Sequence, residues 1–238
     1  MRRFTGILLV MMVVLAGCGQ AAGSGGPSRS PRAAPSPTAS CPEAGGRRIS
    51  FGSDHATGPL YGSGSSGVVL VNQSDLDWCG WFPLPKALAG KGRMYLGFDT
   101  ADAGTVADIG NAVTELRRRG AKHVVVVGAS AGARDSLVAA TKIAPRVDAV
   151  IALSPERRDY VLTAAPKLRV PTLIASARQD SWVPAADAKA IAAAVPARYR
   201  HQVLIDGSRH GIDMASYDAP RAALRTISAF LARYAPGG

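Results

Sequence analysis

Beyond residue 40 the chain alternates short apolar runs with longer Ala-rich stretches. The runs Val68 to Val71, Met94 to Phe98, His123 to Val127, Ala149 to Leu153, Leu173 to Ser176 and Gln202 to Ile205 are too short for helices and rich in β-branched residues, so they read as strands. Several are apolar at nearly every position, and strands of that kind belong to a parallel sheet buried on both faces. The stretches Thr105 to Arg119, Ala131 to Ile143, Ala185 to Val195 and Pro220 to Tyr234 have helical composition and spacing, two of them behind a proline suited to a first turn. The pattern predicts an α/β domain with a mostly parallel central sheet and helices on both faces. Only the segment Pro155 to Lys167 leaves room for a cap between strands, and it is short.

The first forty residues follow a different pattern. Arg2 and Arg3 precede an apolar stretch from Ile7 to Ala16, below the ~20 residues needed to span a bilayer, which ends in Leu15-Ala16-Gly17-Cys18. This arrangement resembles the bacterial lipobox; the resemblance implies export, removal of residues 1–17 and lipidation of Cys18. Residues 18–40 are dominated by Gly, Ser, Pro and Ala, too poor in apolar positions to offset the entropy of ordering, and read as a flexible tether. The expected organisation is a signal peptide at 1–17, a lipidated cysteine and linker at 18–40, and one folded domain at 41–238.

The cysteines and the charge refine that picture. With Cys18 acylated, Cys41 and Cys79 remain, and in an exported protein such a pair most simply forms a disulfide. The formal charge is +11 for the whole chain, and loss of Arg2 and Arg3 with the leader leaves +9 before terminal chemistry is counted. Attraction to anionic headgroups or wall polymers follows. No CxxC or His/Cys cluster suggests a metal, nothing calls for a cofactor, and no basic motif interleaved with aromatics suggests nucleic acid.

The chemistry is concentrated downstream. Gly128-Ala129-Ser130-Ala131-Gly132 is a GxSxG sequence placed directly after an apolar strand and before a helix, where a sharp turn exposes a serine hydroxyl and needs small neighbours. A serine at its ordinary pKa needs a base, and the base needs an orienting carboxylate. Asp180 follows the strand Leu173 to Ser176 in an Asp-x-x-Val-Pro loop, and His210 follows the last strand in a turn bracketed by Gly207 and Gly211. The order is Ser, Asp, His.

On these motifs the chain resembles the α/β-hydrolase superfamily, in particular its small dienelactone-hydrolase-like esterases, from about Gly58 to Tyr234. The resemblance implies the α/β-hydrolase fold with a minimal cap and a small acyl-ester substrate. It also implies a nucleophile at Ser130, a base at His210 and an acid at Asp180. One oxyanion donor would be the Ala131 N–H; the second would come from the loop after Val71, where Asn72-Gln73-Ser74 stands in place of the family's His-Gly and leaves Gln73 and Ser74 as alternatives. Glu156 is a rival acid one strand earlier, while His55, His123 and His201 read as surface or structural groups. Trp78, Trp81 and Trp182 read as core or rim residues. An acyltransferase with the same triad and a binding lipoprotein that has lost its chemistry are the alternatives to an extracytoplasmic, membrane-anchored esterase.

Overall fold

A computed structural model describes residues 46–53, 55–74, 76–87, 92–98 and 105–237. Eight strands form one sheet: β1 (Arg47–Phe51), β2 (Ala56–Gly62), β3 (Ser66–Val71), β4 (Arg93–Phe98), β5 (His123–Ala129), β6 (Ala149–Leu153), β7 (Thr172–Ala177) and β8 (Arg200–Ile205). The helices are α1 (Pro83–Ala87), α2 (Thr105–Arg118), α3 (Ala131–Ala140), α4 (Asp159–Ala164), α5 (Ala185–Ala194) and α6 (Arg221–Tyr234), with single turns of 3-10 helix at Trp78–Trp81, Ala165–Lys167, Ala197–Tyr199 and Gly211–Ala215. The strand order is β1-β2-β4-β3-β5-β6-β7-β8, in which β2 runs antiparallel to both its neighbours and the remaining pairings are parallel.

The near-continuous apolar runs are explained by cover on both sides. Val69, Val71, Val124, Val126, Val150 and Ile174 pack beneath α2, α3, α4 and α5, whereas the alternate positions Val68, Leu70, Val125, Val127, Ile151 and Leu173 pack against α6, Trp81, Leu84 and the turn Gly211–Ala215. Because successive strand residues point to opposite faces, every position of β3 and β6 is buried, and neither strand can show a polar alternation. This is the α/β-hydrolase fold. The connection from β6 to β7 holds only α4 and one 3-10 turn, so the cap is minimal.

The six predicted strands are present, each extended by one or two residues at one or both ends except β6, and all four predicted helices form with C-terminal ends one to three residues earlier or unchanged. The sequence pattern missed β1, β2, α1 and α4. At the end of α2, Arg118 and Arg119 pair with Glu115, and Arg117 donates to the carbonyls of Pro145 and Arg146. Among the described residues no helix is long and apolar enough to cross a membrane, and no group of three or more His, Cys, Asp or Glu is arranged to hold a metal ion. The leader, Cys18, the linker and Cys41 lie outside the described residues. Cys79 is disulfide-bonded.

One polar group in β2 is out of place energetically. The Tyr61 hydroxyl is buried with no hydrogen-bond partner among the described residues, and burial pushes its pKa up to about 12. An unpaired buried hydroxyl costs about 1 kcal/mol or more, so Tyr61→Phe is expected to raise the urea midpoint. Because the folded pKa of this phenol lies above its unfolded value, its ionisation leaves stability unchanged below about pH 10 and lowers it as pH rises toward 12. The variant should therefore lose less stability than the wild type between pH 8 and pH 11, measured as paired urea midpoints. A destabilised Tyr61→Phe would mean the hydroxyl has a partner after all.

Candidate active site

The parallel strands direct their C-terminal ends to one edge, and the crevice at that edge lies between β3 and β5, whose onward connections to β4 and β6 depart in opposite directions. Ser130 stands there, at the end of β5 and the start of α3, with φ 49° and ψ −114°. A non-glycine residue at positive φ is strained, and this one is held in place by bonds on both sides: its N–H donates to Leu153 O at 2.9 Å and its carbonyl accepts from Arg134 N at 3.0 Å. The two elbow glycines are needed because the helix is packed so close to the sheet. A Cβ at Gly128 would lie 2.4 Å from Gly132 O, and one at Gly132 would lie 2.2 Å from Asn72 O.

Asp180 follows β7 in a tight turn. Its Oδ1 accepts the N–H groups of Trp182 and Val183 at 2.9 and 3.0 Å, which fixes the carboxylate at the head of the loop leading to Pro184 and α5. His210 Nδ1 lies 2.9 Å from Asp180 Oδ2 and 3.1 Å from Oδ1, with both side chains buried. Burial raises the Asp180 pKa, but the bonds from His210, the Val183 N–H, the Ser154 hydroxyl and the Trp182 N–H outweigh it and hold the carboxyl below its ordinary range. An ionised carboxylate can only accept, so Nδ1 carries the proton and Nε2 is the nitrogen with a free lone pair.

The histidine turn is brought against the elbow by close packing. A Cβ built on Gly211, which sits at φ 50°, would be 3.4 Å from the Ala129 side chain and 2.3 Å from Gln73 Oε1. No Ser130–His210 hydrogen bond is among those made by the described residues; the imidazole bonds through Nδ1 to Asp180.

Two residues contribute in ways that sequence reasoning missed. Ser154, at the end of β6 with φ 46°, is fully buried; its hydroxyl donates to Asp180 Oδ2 at 2.7 Å and accepts from the Gly211 N–H at 3.2 Å. It therefore ties the acid loop to the histidine turn. Gln73, expected as a backbone donor, also uses its side chain: Oε1 accepts from the Ile212 N–H at 3.0 Å. Its loop lies beside the start of α3, as the contact of the Asn72 carbonyl with Gly132 shows, while Ser74 is exposed and Ala131 is half-buried. The N–H groups considered for an oxyanion, that of Ala131 and those of Gln73 and Ser74, thus belong to segments that border Ser130.

The rival acid borders the elbow, its N–H 3.4 Å from the Ser130 carbonyl, but its carboxylate is engaged by an arginine. Glu156 Oε2 is bound to Arg134 Nη1 at 2.6 Å, and Arg134 also holds Asp135. His123 pairs with Asp148, and His201 packs edge-on against Phe230. Trp78 and Trp81 are buried.

The dienelactone hydrolase family matches residues 92–225. No curated protein matches the chain by sequence. Among solved structures, the esterase domain of a Rhodothermus marinus protein superimposes with a TM-score of 0.64 at 15% identity, covering 79% of this chain and 98% of that one. An esterase from Pyrococcus furiosus gives 0.67 at 13% identity over 80% of this chain and 91% of its own. A thermophilic esterase from Thermogutta terrifontis, solved with propionate bound, gives 0.63 at 18% identity over 81% and 96%.

Proposed function

The chain belongs to the dienelactone hydrolase family, and from that premise we propose that it is a serine esterase working through an acyl-enzyme. Ser130 attacks the ester carbonyl, His210 takes the hydroxyl proton on Nε2 and returns it to the leaving alcohol, and Asp180 orients the ring and stabilises the imidazolium. The Ala131 N–H and an N–H from Gln73 or Ser74 receive the charge that develops on the carbonyl oxygen. Water then repeats the sequence in reverse and releases the acid. The observation that carries this reading is the Nδ1 bond from a buried His210 to an ionised Asp180 beside a strained elbow serine. The proposed substrate is a small-molecule carboxylic ester, and the propionate found in the Thermogutta esterase is a carboxylate of the kind such a reaction releases.

The test is labelling of the wild type by a fluorophosphonate probe together with turnover of a panel of esters of one alcohol. Stoichiometric labelling and release of free acid are expected. Ester formation in place of acid, when a second alcohol is added, would instead identify an acyltransferase. An unlabelled, inactive protein would leave only a binding role.

The same proposal places the domain outside the cytoplasm on a lipid anchor at Cys18, supported by Leu15-Ala16-Gly17-Cys18 and by the disulfide at Cys79, for which Cys41 is the proposed partner. Cells fed a labelled fatty acid should label the wild type and not Cys18→Ser. Wild-type protein released into the medium without label would overturn the anchor.

A further inference from the structure

Four large apolar side chains stay exposed among the described residues: Leu76, Tyr160, Trp182 and Tyr217. Each lies in a connection that leaves the C-terminal end of a parallel strand, after β3, β6, β7 and β8 respectively. That is the edge bearing Ser130, Asp180 and His210. Exposed apolar groups are scattered on most surfaces, so position relative to the site decides which of them matters, and Trp182 stands two residues beyond Asp180.

Trp182 is the most exposed of them, at 77%, and it lies beside the base: its ring centroid is 6.3 Å from that of His210, with the planes inclined by 36°. The backbone beneath it is fixed, since the N–H groups of Trp182 and Val183 both donate to Asp180 Oδ1. Val183 is buried, so the loop has an anchor that does not depend on the indole. An indole carries one of the largest apolar surfaces of any side chain, and here its backbone is anchored while the ring is left in water. With only α4 and one 3-10 turn between β6 and β7, the minimal cap offers little else to shield an apolar substrate group.

We infer that Trp182 is a specificity-determining residue, which receives the apolar part of a bulky acyl group against the face of its indole and so directs the site toward extended or aromatic acyl esters over acetyl esters. The inference rests on the esterase reading for its chemistry. Substrate binding supplies the missing cover for the indole, and the indole excludes water from the side of the imidazole that faces solvent. The selectivity acts mainly on KM, because the contact forms in the bound ester as well as in the transition state.

The test compares octanoate and acetate esters of one alcohol. Trp182→Ala should lower the octanoate-to-acetate ratio of kcat/KM by about tenfold, mostly through the KM for octanoate, and Trp182→Phe should restore most of the ratio. An equal loss on both esters would show that the indole serves only to hold the Asp180 loop, and an unchanged ratio would show that it does not meet the acyl group; either overturns the inference. A second measurement is independent of turnover. Octanoate, the product acid, should shift the emission of the exposed indole to shorter wavelength in the wild type, and the shift should vanish in Trp182→Phe. No shift overturns the inference even where ester turnover stands, whereas a shift in a protein that hydrolyses no ester upholds it and removes the esterase reading instead.

Discussion

Ser130→Ala is expected to reduce ester turnover by on the order of 100,000-fold and to abolish fluorophosphonate labelling. The hydroxyl is the only part of the side chain that the substitution removes, and the surrounding backbone is held by bonds that do not involve it: Ser130 N–H to Leu153 O, and Arg134 N–H to Ser130 O. Alanine has the same Cβ at the same strained φ of 49°, so the strain is carried over and not relieved. The thermal midpoint should consequently stay close to that of the wild type, which separates loss of a nucleophile from loss of the fold. His210→Ala should cost nearly as much, and the double variant little more than either alone, because the members of such a site act as a unit. Labelling that persists in Ser130→Ala would place the nucleophile elsewhere.

The parts of the molecule that could be read from sequence are those whose cause is local. β3, β5, β6 and β7 announce themselves because burial on both faces leaves almost no polar position. β2 does not, because Ala-Thr-Gly-Pro-Leu-Tyr-Gly carries turn residues inside a strand. Its Gly58 is there for a tertiary reason: a Cβ would lie 1.8 Å from Gly97 O on the neighbouring strand. Helix α3 ends three residues before its composition suggests, at Ala140, where the N–H groups of Thr141 and Lys142 close turns on the Val138 and Ala139 carbonyls.

The site divides along the same line. Ser130, Asp180 and His210 each sit in a short motif with its own local signature, so their placement at one edge could be expected from strand order. Ser154 has no such signature. A Ser-Pro after a strand reads as an ordinary turn, and the two groups it joins, Asp180 and Gly211, lie 26 and 57 positions away. Gln73 is similar: its side chain reaches a backbone N–H separated from it by 139 positions. Bonds of that span depend on how the finished sheet folds its loops together, and no periodicity records them.

Asp180→Asn should reduce turnover by about 10,000-fold, and Glu156→Gln by no more than a fewfold. In the wild type the ionised Asp180 accepts from His210 Nδ1, from the Ser154 hydroxyl and from the Trp182 and Val183 N–H groups. The asparagine keeps one oxygen for the two backbone donors, and its amide nitrogen then faces Nδ1 as a donor. The imidazole responds by moving its proton to Nε2, which is the nitrogen that must accept from Ser130. The imidazolium also loses its counter-charge. Glu156 is occupied elsewhere, since it pairs with Arg134 at 2.6 Å and Arg158 at 3.5 Å in a partly exposed cluster worth about 1 kcal/mol or less. Ser154→Ala should fall between the two, since it removes one donor from the carboxylate and frees the Gly211 N–H without altering charge. The pH dependence of stability provides a second check. The Asp180 carboxyl is held below its ordinary pKa, so it stabilises the fold in full above the unfolded carboxylate value and loses that contribution as pH falls through the folded value. The gap in urea midpoint between wild type and Asp180→Asn should thus be widest near neutral pH and close as the solution is acidified. If Glu156→Gln proved the more damaging of the two, the imidazole would take its orientation from the connection after β6, and the bond between His210 and Asp180 would be structural.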